Sequence, residues 1–82
     1  MRKTVKILGI GQAVSGTSKT GKAYAFTPVS FAYPDEGFDG YKAETANMDL
    51  VMIADRGGIK VNEEYDVIFH YQNFRPVVDA IL

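Results

Sequence analysis

The chain has 82 residues, with nine Lys and Arg against ten Asp and Glu for a formal charge of −1, and it contains no cysteine. That length permits one domain, residues 1–82, with a core only just large enough to sustain itself, and an apolar content of 46% argues against disorder. Without thiols there is no disulfide scaffold, thiol catalysis or thiolate zinc site; a lone His70 makes no metal cluster; and no apolar run approaches the ~20 residues of a membrane span.

The stretch after Met1-Arg2-Lys3-Thr4 is too short and too interrupted by Gly and Lys for a secretory signal, so a cytoplasmic domain without cofactor is expected. The near-neutral total hides an asymmetry. Residues 1–22 carry Arg2, Lys3, Lys6, Lys19 and Lys22 and no acid, a local +5, whereas residues 23–82 carry four basic and ten acidic side chains, a local −6. A polyanion would meet the first segment and be repelled by the rest; the alternative is that both sets are simply solvated.

Residues 3–14 are rich in aliphatic and β-branched side chains and read as a strand, bent or bulged where Gly9 and Gly11 interrupt it. Residues 15–22, SGTSKTGK, are turn formers and Lys, the composition of a hairpin tip. Residues 23–33 give a second strand with rings on both faces, and Pro28 places its middle at an edge or bulge.

A polar loop from Pro34 to Gly40 leads into a third strand from about Tyr41 to Ile53, where Ala46, Met48, Leu50 and Met52 alternate with Thr45, Asn47 and Asp49. Ala54-Asp55-Arg56-Gly57-Gly58 reads as a turn. In residues 65–71, Tyr65, Val67, Phe69 and Tyr71 face one way and Asp66, Ile68 and His70 the other. Gln72-Asn73 forms a tight turn before a last strand, Phe74–Leu82. Helical periodicity is nowhere sustained, so the expectation is all-β: five strands with glycine corners in a small closed or partly closed barrel, OB-like or SH3-like.

No enzyme is visible. Gly9-Ile10-Gly11 lacks the third glycine and following helix of a dinucleotide fingerprint. Gly16, Gly21 and Lys22 have phosphate-loop spacing, but Ala23 stands where a magnesium-holding hydroxyl is needed and a strand follows. The carboxylate pairs Asp35/Glu36 and Glu63/Glu64 lie in polar loops and read as solvated, and His70 reads as structural. No small-molecule substrate is implied.

The binding signal is clearer. Lys19 and Lys22 flank a flexible tip and Tyr24 and Phe26 follow on one face of the next strand. Single-stranded nucleic acid calls for this combination, cations for phosphates beside flat rings for bases. Phe26 reads as core and Tyr24, with its polar handle, as exposed. Tyr33, Phe38 and Tyr41 border a loop that cannot bury all three, and exposed rings usually have a partner. Phe74-Arg75 offers another ring and cation.

The stretch Ser15-Gly16-Thr17-Ser18-Lys19-Thr20-Gly21-Lys22-Ala23-Tyr24-Ala25-Phe26 resembles the DNA-binding hairpin of the filamentous-phage single-stranded-DNA-binding proteins, the helix-destabilising, gene V type. Their pattern there, Ser-Gly-x-Ser-(Arg/Lys)-x-Gly-Lys-x-Tyr-x-apolar, is matched at every specified position. Residues 65–76 are similar to the last hairpin of the same group, and the clear match covers about a quarter of the chain.

The resemblance implies a five-stranded OB-like barrel forming a homodimer that coats single-stranded DNA cooperatively and without sequence preference, in phage or mobile-element replication. By position, Lys19 and Lys22 would contact phosphates, Tyr24 would stack on a base, and Phe74 beside Arg75 would supply a second ring. Tyr33 and Tyr41 lie where that family has aromatic residues in or near its loop. Two departures stand out: Val14 replaces a basic residue before the hairpin, and Asp79-Ala80-Ile81-Leu82 replaces arginines in the last strand. Arg2, Lys3, Lys6 or Arg75 would have to compensate. Single-stranded DNA is therefore the expected partner, with RNA open, and no membrane. The alternative is a protein–protein interaction module that grips its partner with an exposed edge strand and loop aromatics.

Overall fold

The computed structural model describes all 82 residues. Six strands form one antiparallel sheet with a single short helix: β1 Arg2–Ile10, β2 Val14–Thr17, β3 Ala23–Pro34, β4 Tyr41–Asp49, α1 Leu50–Arg56, β5 Glu64–Gln72 and β6 Arg75–Ile81. The all-β expectation holds. The expected five strands are six: the first ends at Ile10, and residues 15–17, expected in the hairpin tip, instead pair with β3 as part of β2. The sheet is not closed: β4 and β6 lie against one another without a ladder between them.

The long strand β3 organises the sheet. One of its edges carries β4 from Phe26 to Pro34; the other carries β2 against Ala23–Phe26 and β1 against Val29–Ala32. β1 in turn pairs with β5, and β5 with β6. The break between β1 and β2 is fixed by two residues. Gly11 donates its N–H to the Pro28 carbonyl at 2.7 Å, and a Cβ at Gly11 would stand 2.5 Å from Pro28 Cγ, so only glycine fits. Pro28, which has no N–H to offer a ladder, meets that edge where the neighbouring strand is interrupted.

Alternation places Val5 and Ile7, Val29, Phe31 and Tyr33, Ala46 and Met48, Val67 and Phe69, and Val78 and Ile81 in one core. A bulge between Ile7 and Gly9 and another between Ile68 and Phe69 bend the sheet around it. The expected third strand ends early, at Asp49, and residues 50–56 are helical. The Asp49 carboxylate accepts from the N–H groups of Val51 at 2.7 Å and Met52 at 3.4 Å, and Gly57 at φ 94° ends the helix with its N–H on the Ala54 carbonyl. Met52 and Ile53 then turn onto the core, where a continued strand would have carried them past it.

Candidate nucleic-acid interface

Residues 14–26 form a hairpin that stands off the body of the sheet, since β2 touches only β3 and none of its residues is buried. Its tip is a tight turn in which Gly21, at φ 83°, donates its N–H to the Ser18 carbonyl at 2.9 Å, and the Ser18 N–H reaches the Lys22 carbonyl at 2.8 Å. The Ser18 hydroxyl, 3.0 Å from that of Thr20, also accepts from the Lys22 N–H at 3.2 Å. These contacts fix the backbone and leave both lysine heads outward. The ion pairs of the molecule are Arg2–Asp66, Lys42–Glu44 and His70–Asp79, so Lys19 and Lys22 are exposed and unpaired.

Behind the tip, Tyr24 and Phe26 stack at 5.9 Å between ring centroids with planes 25° apart. Both lie on the face of β3 opposite the core residues Thr27, Val29, Phe31 and Tyr33, with Tyr24 exposed and Phe26 half-buried. The pleat continues that outer row through Pro28, Ser30 and Ala32 to Pro34. Lys19, Lys22 and Tyr24 are thus brought together as the hairpin spacing predicts, while Phe26 leaves the core and joins them.

Tyr33 does not belong to this surface. Its ring is 1% exposed, packed against Phe31 and Phe69, because an odd position in β3 faces inward. Its hydroxyl donates to Glu44 at 2.8 Å and lies 3.0 Å from that of Tyr71, which donates to the same carboxylate oxygen at 2.6 Å. Burial first, then these two hydrogen bonds, push the Tyr33 phenol well above its ordinary range. Its sequence-predicted role as a DNA contact is corrected accordingly: Tyr33 is a core residue with a satisfied polar tip.

The remaining predicted residues fall elsewhere. Tyr41 is 71% exposed at the start of β4, opposite Pro34 on the outer face. Phe74 is fully exposed beside Arg75 in the β5–β6 turn, where Asn73 and Phe74 both have positive φ, 53° and 64°. A bulky ring there is strained and contributes no burial to the fold. Phe74 shares an open hollow with Lys42, Glu44 and Tyr71. Glu44 pairs with Phe31, seven residues along β3 from Tyr24, which amounts to roughly 23 Å of strand. The tip and the turn are therefore well separated along the strand.

Sequence reasoning missed the group around Lys42, whose ammonium sits 5.3 Å from the Tyr71 ring centroid and 6.0 Å from that of Phe38. It donates to the Tyr71 hydroxyl at 3.3 Å, which raises the Lys42 pKa above its ordinary value. The alternation of Lys42 and Glu44 with Ala43 and Thr45 was the available signal. The basic N-terminal segment is also reduced: Arg2 is held by Asp66 at 2.7 Å, and Lys3 lies 5.9 Å from the centre of the Tyr33 ring. Lys6 keeps its charge free on the outer face. No family model, curated protein or solved structure matches the chain.

Proposed function

We propose that the protein binds single-stranded DNA without strong sequence preference, as a homodimer that coats and protects unpaired strands in the replication of a phage or mobile element. The observation that carries this reading is the projecting hairpin, which presents two unpaired lysines next to the exposed Tyr24 ring, stacked on a half-buried Phe26. Lys19 and Lys22 neutralise phosphates and release counterions, while Tyr24, backed by Phe26, takes a base on its π-face. No catalytic step is involved. Binding the single strand and not the duplex shifts the melting equilibrium by mass action, which is how such a protein opens helices.

The strand order supports the same reading. With β1 and β2 counted as one bent strand, the first strand pairs with the second and fourth, the second with the third and the fourth with the fifth, and α1 lies between the third and fourth. This order is compatible with a partly open OB-like barrel, a fold whose ligands lie over the second and third strands and the loops after the first and fourth. The tip 18–22 and the turn at Phe74 occupy those two loops.

The test is a fluorescence-anisotropy titration of labelled oligothymidine at two salt concentrations. Tight binding that weakens steeply with salt is expected; no binding at low salt would sink the proposal. It would leave the second reading, a protein–protein module, which draws on the free outer edge of β2 and the exposed rings of Phe38 and Phe74.

A further inference from the structure

The outer face of the sheet contains a groove of about 530 Å³ lined by Thr4, Lys6, Leu8, Ala32, Pro34, Tyr41 and Glu64, a volume in the range of small-ligand sites. Its floor follows from the register. Glu64 stands opposite Lys6, Lys6 opposite Ala32, and Ala32 opposite Ala43, so one rung crosses β5, β1, β3 and β4 on a single face. Small side chains at Ala32 and Ala43 leave this rung low. Tyr41, 71% exposed, and Leu8, 46% exposed, rise at its margins.

The groove and the hairpin rings share one surface. Tyr24, Phe26, Pro28, Ser30 and Ala32 are alternate residues of β3, and eight residues from Tyr24 to Ala32 span roughly 26 Å. A strand engaged at the tip runs along this row into the groove, a path suited to the ~4–16 nucleotides that one such module covers. The charges at the end of that path are arranged unusually. Lys6 and Glu64 are directly opposed, yet no ion pair joins them, so each keeps its head free for a ligand.

A carboxylate on a surface that follows phosphates opposes binding unless it meets a donor. Bases supply donors on their edges: cytosine, adenine and guanine carry an exocyclic amino group, which a carboxylate accepts from. Thymine offers only one N–H, set between two carbonyl oxygens whose lone pairs oppose the carboxylate. Resting on the single-stranded-DNA reading above, we infer that this groove is a nucleobase subsite selective for amino-bearing bases. Tyr41 stacks on the base, Lys6 holds the adjoining phosphate, and Glu64 accepts from the amino group. Binding is then tolerant along the hairpin and selective at this one position.

The test compares labelled oligodeoxycytidine and oligothymidine of about eight nucleotides on the full chain and on Glu64→Gln. The Glu64 side chain has no hydrogen-bond or ion-pair partner in the fold, so the variant keeps its structure, which a thermal melt checks. A preference of about three- to tenfold for the cytidine oligomer, abolished in Glu64→Gln because the amide can donate to thymine as well, is the expected result. Equal binding of the two by the unaltered protein, or a preference that survives Glu64→Gln, overturns the subsite while leaving the hairpin reading intact. Failure of both oligomers to bind at low salt overturns both.

Discussion

Tyr24 lies directly across the β2–β3 ladder from Gly16, with its phenol ring laid over the glycine so closely that a Cβ there would stand 2.7 Å from the hydroxyl oxygen and 3.0 Å from Cζ. A bare backbone on one strand thus receives a ring from the other, an arrangement that holds an exposed aromatic in a fixed attitude. On the single-strand reading proposed above, pre-ordering of this kind would lower the entropy lost on stacking a base against the ring.

Gly16→Ala is therefore expected to change binding and leave folding nearly intact. Gly16 has no positive φ, so alanine fits the backbone, and only the far end of the Tyr24 side chain must move. Affinity for oligothymidine should fall several-fold, approaching the loss of about 1–3 kcal/mol expected for Tyr24→Ala, while the melting temperature stays within a few degrees. A variant that melts far lower with unchanged affinity would assign the Gly16–Tyr24 contact to stability alone.

The tip lysines make a separate prediction, because they touch nothing that holds the fold. Lys19→Ala combined with Lys22→Ala should leave the melting curve in place and weaken binding for every sequence. Each lost phosphate contact should also reduce the slope of log affinity against log salt by about 0.7 for a single strand. Salt titrations of the two proteins measure this directly. Parallel slopes would mean that the strand passes elsewhere.

The hairpin was legible in the sequence because turn chemistry and lysine spacing are local: Ser18 to Lys22 determine their own conformation. Most strands were legible for the same reason, through alternation over short windows. Tyr33 and the helix were not. Tyr33 sits next to a polar loop, but β3 runs on to Pro34 and keeps Tyr33 in phase with Val29 and Phe31 on the inward face, and its hydroxyl is satisfied by Glu44 and Tyr71 from other strands. At Asp49 the apolar alternation runs on to Met52 although the chain has already turned. The capping signal, an Asp before an apolar run that ends in Gly57-Gly58, is the cue that outweighs it. The groove at Lys6 joins residues from four strands, and no single window of sequence contains it.

Acid stability offers a third check. Asp66 accepts from Arg2 at 2.7 Å and from Thr4 at 2.6 Å, and these two contacts, Arg2 first, hold its carboxyl below the ordinary carboxylate value. A pKa lowered by folding contributes stability that is complete above the unfolded value of about 3.9 and disappears as the pH falls through the folded one. Asp66→Asn removes that contribution. The difference in melting temperature between the two proteins should be largest near neutrality and close on acidification below the ordinary carboxylate range. A gap that stayed constant down to strong acid would show that the Arg2 and Thr4 contacts carry no linkage.

Tyr33 and Tyr24 are both tyrosines of β3 one face apart, and removal of the hydroxyl separates their roles. In Tyr33→Phe the buried network loses a donor to Glu44, whose carboxylate keeps only Tyr71 as a hydrogen-bond donor and Lys42 as a counter-charge. A hydrogen bond to a charged group in such a setting contributes about 1.5–3 kcal/mol, and each kcal/mol moves the melting temperature of a domain this small by about 4–8 °C. DNA affinity should not change, since the ring is enclosed. Tyr24→Phe should change neither the melting temperature nor the affinity, because stacking uses the ring and the exposed hydroxyl has no partner in the fold. Calorimetry and a binding titration on the two variants settle the pair: weaker binding in Tyr33→Phe at an unchanged melting temperature would return Tyr33 to the interface.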